Sequence, residues 1–304
     1  MKMKMKMKVR TIVSGYIILL PALIVMLMFN FYPVIWSFLV SFKETKAIDI
    51  KNSALYEIPG VFVGIENYQK VLDNDLFFKS IVNTGYFAII FIPFTLLFSL
   101  LLAIYVNQKF KGVNFFRTII FVPYIISVIS SSLIFMTLFN TEAGFVNATL
   151  EFFGIQGISW LGDERLAMPV IALMSIWRRV GYFMLLYLAG LQNIPKSLYE
   201  AAQIDGANWL DKFRNITIPL LSKITIVIMV LLLRDALTIF QEVFVMTGGG
   251  PGNSTVTVPF LIYQEAFSYL RFGTAAAMSY ILFVIAVIVI LVQNKIIMRK
   301  GKVE

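Results

Sequence analysis

Between Ser175 and Tyr182 the chain reads SIWRRVGY, placing two adjacent guanidinium groups, Arg178 and Arg179, between the rings of Trp177 and Tyr182. Farther on, Arg234, Asp235, Thr238, Gln241 and Glu242 recur at offsets of three, four and seven, which on one helix predicts a single polar stripe. Both groups lie in long apolar runs, where ionisable side chains are costly and each is a functional hypothesis. Donors, acceptors and aromatic faces together suit a sugar, whose hydroxyls take the hydrogen bonds while its C–H groups pack on a ring. These nine residues are therefore the candidate substrate path. Two competing readings use the same side chains: ion pairing between helices, or an arginine snorkelling to the bilayer surface. Two arginines would also suit an acidic or phosphorylated sugar.

Other chemistries are excluded outright. The chain has no histidine and no cysteine, so disulfides, imidazole or thiolate metal sites and histidine-based acid–base catalysis are ruled out. No carboxylate cluster of metal-ligand type is visible, and no G-x-x-x-x-G-K-S/T sequence is present to cradle a nucleotide. TGGGPGNST, from Thr247 to Thr255, is glycine-rich but has no lysine and no following helix of P-loop type. It reads as a backbone-flexible turn. No catalytic residue, metal or cofactor is expected in this chain, and any energy source must come from another.

The elements that position these residues are membrane helices. Of 304 residues 59% are hydrophobic and 14% charged, and the mean hydropathy is +0.82, against roughly 25% charged in soluble domains. About 20 apolar residues cross a bilayer. The apolar runs near 12–36, 82–107, 116–140, 167–191, 216–246 and 273–296 predict an all-α membrane protein of six spans. The net charge of +9 gathers in short segments between the runs, which encodes topology and gives no nucleic-acid-binding patch. Lysine and arginine mark 1–11, 107–117, 192–215 and 298–304 as cytoplasmic, so both termini lie inside. The opposite loop 141–166 is acidic. Lys43, Lys46, Lys51, Lys70 and Lys79 blur the assignment of 41–81. The resulting plan is a basic cytoplasmic tail (1–11), a first transmembrane helix (12–40), an extracellular loop (41–81), a core of five further spans (82–297) and a cytoplasmic tail (298–304).

One segment interrupts this plan. IPKSLYEAAQIDGANWLDKFRNITIPLL, from Ile194 to Leu221, predicts a charged hairpin of two short helices within 193–219. Pro195 fits a first helical turn, Asp205-Gly206 a turn with positive φ at the glycine, and Asn208 a helix cap. Ala201, Ala202 and Ala207 keep one surface small, so another protein could approach, and Glu200 offers a carboxylate to an arginine. An amphipathic connector lying on the membrane would look similar.

This hairpin resembles the EAA loop of the permease subunits of binding-protein-dependent ABC importers, with Glu200-Ala201-Ala202, Gly206 and Ile216–Pro219 at the family's spacing. FVGIENYQKVLDNDLFF (62–78), YLAGLQNIP (187–195) and FVMTGGGPGNSTVTVPFLIYQEAF (244–267) resemble the carbohydrate branch, the maltose and glycerol-phosphate permeases. Similarity runs from about 16 to 297. The resemblance implies a type I importer permease fold in the cell (plasma or inner) membrane. Its hairpin would dock on a cytoplasmic ATPase through Glu200, Ala201, Ala202, Asp205, Gly206, Ala207, Phe213 and Pro219. It implies as partners a second, homologous permease, an ATPase dimer carrying the ATP and Mg, and an extracellular solute-binding protein touching Thr247, Gly248, Gly249, Gly250 and Pro251 at an outer gate. It also raises Arg178, Arg179 and Tyr182 as substrate contacts. Where the family often has a proline after the hairpin, this chain has Lys223, which predicts a straighter start to the fifth span. A stand-alone ion-coupled transporter, with Asp235 and Glu242 as its carboxylates, and a permease for another solute class are the alternatives.

Overall fold

The computed structural model describes residues 16, 18–52, 57–108 and 110–300. The basic tail 1–11, the start of the first span and residues 301–304 lie outside the described residues. In chain order the elements are α1 (Ile18–Val40), β1 (Lys43–Glu44), α2 (Ala47–Asn52), β2 (Val61–Phe62), α3 (Glu66–Leu72), α4 (Asp75–Val106), α5 (Val113–Ile125), α6 (Val128–Leu138), α7 (Phe145–Phe152), α8 (Ala167–Gln192), α9 (Lys196–Ile204), α10 (Trp209–Leu237), α11 (Gln241–Met246), α12 (Val258–Tyr263) and α13 (Phe272–Gln293). Among the described residues α1, α4, α8, α10 and α13 are long and apolar enough to cross a membrane, and the bent α5–α6 pair makes a sixth when it is counted as one span.

Three expected spans have different bounds. The run at 116–140 is two helices bent by 99°, not one rod. Ile126 and Ser127 are extended at the break, where the Ser127 hydroxyl caps α6 by accepting from Ser130 N at 3.1 Å. The run expected at 216–246 starts at Trp209 and stops at Leu237, and the one expected at 82 starts at Asp75, capped by Asn74. Prolines shape the helices locally. π-helical turns at Leu27–Phe31 and Phe213–Thr217 each end two residues before a proline, Pro33 and Pro219. A proline cannot donate to the preceding turn and its ring crowds it, and the wider turn takes up both effects.

The chain divides into two compact units. The first comprises the residues up to Asp73 together with Ile262–Ile281. Here β1 and β2 pair antiparallel, with Lys43 opposite Phe62. Asn67, almost fully buried, donates to Ser41 O and Lys43 O, both at 2.9 Å. Thr45 O accepts from Phe272 N at 3.1 Å, and the Tyr280 hydroxyl donates to Val34 O. Gly273 lies against Lys43 O and Asn67 Nδ2, leaving no room for a side chain.

The second unit comprises Asn74–Leu261 and the residues from Leu282 on, with α8 the most buried of its helices. A Cβ on Gly181 would run into Ile120 O of α5, and one on Gly190 would lie 2.6 Å from Ile224 Cδ1 of α10. Small residues thus set where α5 and α10 cross α8. The 32 residues of α4, about 48 Å long, mark the two ends of this unit. At its C-terminal end Asn107 and Gln108 share a cleft of about 230 Å³ with Leu191, Tyr199 and Trp209. At its N-terminal end Lys79 and Asn83 hold the glycine-rich turn.

Candidate functional site

The hairpin is built largely as its sequence predicts. Pro195 is the N-cap of α9 and not a first-turn residue. Gly206, at φ +80°, reverses the chain, with Ala207 N donating to Ala202 O at 2.9 Å. Asn208 and Asp211 form a reciprocal cap at 3.0 and 3.1 Å. The second arm is not a separate short helix. It continues through Phe213 and Pro219 into the membrane span as the first turns of α10, and Lys223 is exposed on that unbroken helix.

Two contacts brace the arms together: the hydroxyls of Tyr199 and Thr217 at 2.9 Å, and Lys212 Nζ to Gln203 Oε1 at 3.3 Å. Trp209 stacks on Phe213 with ring centroids 5.4 Å apart. Glu200, Ala201 and Asp205 are exposed, and Ala202 and Ala207 half-buried. Glu200 makes no ion pair among the described residues. Ile204 is 87% and Trp209 67% exposed, so the hairpin carries exposed apolar surface as well as that carboxylate. A rigid knob joined without a break to a membrane helix can pass a push at its tip to the span.

The intramembrane polar residues fall into two groups. Arg179 Nη2 lies 3.2 Å from Asp235 Oδ2, and its guanidinium sits 5.6 Å above the Tyr124 ring. Tyr124 stacks on Tyr182 at 4.7 Å, and Trp177 packs against Phe135. Arg178, at the middle of α8, is 8% exposed with its Nε unpartnered, so it does not snorkel. The expected single stripe does not form, because the helix ends at Leu237 and resumes at Gln241. Asp235 and Glu242 are half-buried, whereas Arg234, Thr238 and Gln241 are exposed. Thr238 Oγ1 donates back to Arg234 O at 2.9 Å. Sequence reasoning missed Tyr124, whose only local signal is its place beside Pro123.

The glycine-rich turn combines glycines in the left-handed region with a set of hydrogen bonds. Gly248, Gly249 and Gly252 all have positive φ, which explains their type, but the turn is tied down on several sides. Thr247 and Thr255 hydroxyls meet at 2.7 Å, and Thr255 Oγ1 also donates to Gly250 O at 2.7 Å. Pro251 follows directly. Asn83 Nδ2 donates to Asn253 O and Val256 O, both at 2.9 Å, and Lys79 Nζ to Gly252 O at 2.7 Å. The turn therefore lies against the N-terminal end of α4, at the end of the unit opposite the hairpin.

Comparison with known proteins agrees with this architecture. Residues 95–300 match the family described as binding-protein-dependent transport system inner membrane component. The trehalose/maltose transport system permease protein of Thermococcus litoralis is 34% identical, over 96% of this chain and 96% of that protein. The sulfoquinovosyl glycerol transport system permease protein of Agrobacterium fabrum is 34% identical over 93% and 90%. The sn-glycerol-3-phosphate transport system permease protein of Pectobacterium atrosepticum is 30% identical over 94% and 94%. A chain of a bacterial ABC transporter involved in import of the acidic polysaccharide alginate has the same fold, with TM-score 0.83 and 23% identity over 97% of this chain and 99% of that one. A bacterial alginate ABC transporter in complex with an alginate pentasaccharide-bound periplasmic protein matches as well, with TM-score 0.83 and 23% identity over 97% of both chains. The chain belongs to the family of binding-protein-dependent transport system inner membrane components, as a multi-pass permease of the ABC-importer fold.

Proposed function

We propose that this chain is the membrane-spanning permease subunit of an ATP-driven importer, translocating a sugar or sugar derivative handed over by an extracellular solute-binding protein. The observation that carries it is the pairing of an exposed hairpin, continuous with a membrane helix, with relatives named for sugar and glycerol-phosphate transport. Both termini and the hairpin lie in the cytoplasm, and the turn at Thr247–Pro251 faces outward. A homologous permease completes the path, and two ATPase subunits bind the ATP and Mg. ATP closes the ATPase dimer, the hairpin tips around Glu200 approach each other, and the bundle opens outward. The ring pair Tyr124–Tyr182, with Arg179 and the exposed Arg234, Thr238 and Gln241, offers the stacking and hydrogen-bonding surface for a sugar, and the buried Arg178 adds positive charge beside Arg179.

Proteoliposomes holding the assembled transporter test this reading. Uptake of labelled sugar in the presence of the binding protein requires ATP on the hairpin side and survives a protonophore. Uptake that stops with the protonophore and ignores ATP contradicts it.

A further inference from the structure

We propose that α7 is an in-plane membrane anchor, seating a phenylalanine face among the lipids at the bilayer surface opposite the hairpin. The helix has two unlike sides. Asn147, 1% exposed, organises one of them: its Nδ2 donates to Thr141 O and Ile158 O at 2.9 Å, and its Oδ1 accepts from Ile158 N at 3.1 Å and Trp160 Nε1 at 2.8 Å. Glu151 projects on that side too, its carboxylate next to Gly157.

The other side is Phe145, Ala148, Thr149 and Phe152, one helical face by their spacing of three, four and seven. It carries no charge, and the Thr149 hydroxyl donates back to Phe145 O at 2.8 Å, so no donor on it seeks water. Phe145 is 71%, Phe152 84% and the adjoining Phe153 72% exposed.

Helix lengths decide what covers this face. α5 and α6 rise about 20 Å and about 17 Å along their axes, and at a 99° bend they carry the chain no more than about 24 Å together. The hydrocarbon core is about 30 Å thick, so the pair with its two-residue break does no more than reach the far boundary. Only six residues separate α6 from α7, which keeps α7 at that boundary and parallel or oblique to it. The partner is thus the lipid that already surrounds the spans, continued around the end of α6. Acidic Glu142, Glu151, Asp163 and Glu164 stand outside the apolar face, where headgroups and water meet them.

The chain contains no cysteine, so single labels can be placed without background. Nitroxides at Phe145→Cys, Phe152→Cys and, as the aqueous reference, Glu142→Cys are read in the assembled transporter in phosphatidylethanolamine/phosphatidylglycerol nanodiscs. Collision with oxygen is compared with collision with a soluble nickel chelate. The oxygen-to-nickel ratio at positions 145 and 152 exceeds that at 142 by roughly an order of magnitude. A nickel-favoured label at 152 overturns the proposal by placing the face in water. A label reached by neither reagent shows a permease contact, and one shielded only when the binding protein is added shows a binding-protein dock; either overturns it. If Phe152→Cys does not assemble, Phe153→Cys carries the same measurement.

Discussion

Arg179 Nη2 and Asp235 Oδ2 lie 3.2 Å apart, joining the middle of α8 to the last turn of α10. Their side chains are 24% and 18% exposed, so the pair is only partly hydrated and losing one member leaves the other poorly compensated. Asp235→Asn and Arg179→Gln each destabilise the subunit by about 1–3 kcal/mol, and the double variant loses less than the sum. Thermal unfolding of the three variants checks this. Additive losses would show that the two residues do not interact.

Glycine positions make a sharper comparison. Gly181→Ala sets a methyl against the Ile120 carbonyl, a backbone group that cannot turn aside, and displaces α5 from α8. Gly190→Ala meets only the side-chain ends of Ile224 and Leu221 at 2.6 and 2.9 Å, which rotate away. The first costs about 2–3 kcal/mol or prevents folding and the second about 1 kcal/mol. Expression level and unfolding midpoint rank them, and equal losses would contradict the assigned crossing.

Glu265 gives a pH dependence. Burial pushes its carboxyl above the ordinary 4.5, against the pull of Arg271, whose Nη1 is 3.8 Å away. The folded state therefore holds the proton more tightly than the unfolded chain. That contribution is full below about pH 4.5 and is lost as pH rises through the raised folded value. Glu265→Gln removes this part of the slope of stability against pH. The unfolding midpoint followed across mildly acid pH should be flatter for the variant, and identical slopes would contradict the assignment.

The sequence made the spans and hairpin visible because apolar length, Gly206 and Asn208 are local signals. The bend inside 113–138 was hidden by unbroken apolarity, although Pro123 and the cap at Ser127 mark it. The stripe from Arg234 to Glu242 failed for a similar reason: spacing assumes one helix, and Phe240 leaves it at φ −140°. Tyr124 joined Arg179 and Tyr182 only through packing that no local pattern carries. Four of the five lysines that blurred the outer loop have partners in the structure. Lys43 donates to Ile58 O, Lys46 lies 3.5 Å from Glu44, Lys70 2.8 Å from Glu66, and Lys79 holds Gly252 O. The Glu66 hydrogen bond also raises the Lys70 pKa above its usual value.

Gly206 is needed for conformation alone, since nothing lies within 4 Å of a Cβ there. Gly206→Ala strains the turn by about 1–2 kcal/mol, and Gly206→Asn, which tolerates positive φ, by less. ATP-driven uptake ranks glycine above asparagine above alanine. Equal activity of all three would show that the turn need not keep its shape.

The most direct test of the coupling role is Glu200→Lys in the assembled transporter. Glu200 is exposed and makes no ion pair among the described residues, so reversing its charge leaves folding and membrane insertion intact. Losing a charge-assisted docking contact and replacing it with repulsion costs about 2–5 kcal/mol at the interface. The account predicts normal amounts of the variant in the membrane, loss of the ATPase on co-purification and ATP-driven uptake below about a tenth of normal. Normal uptake with the ATPase still bound would contradict it.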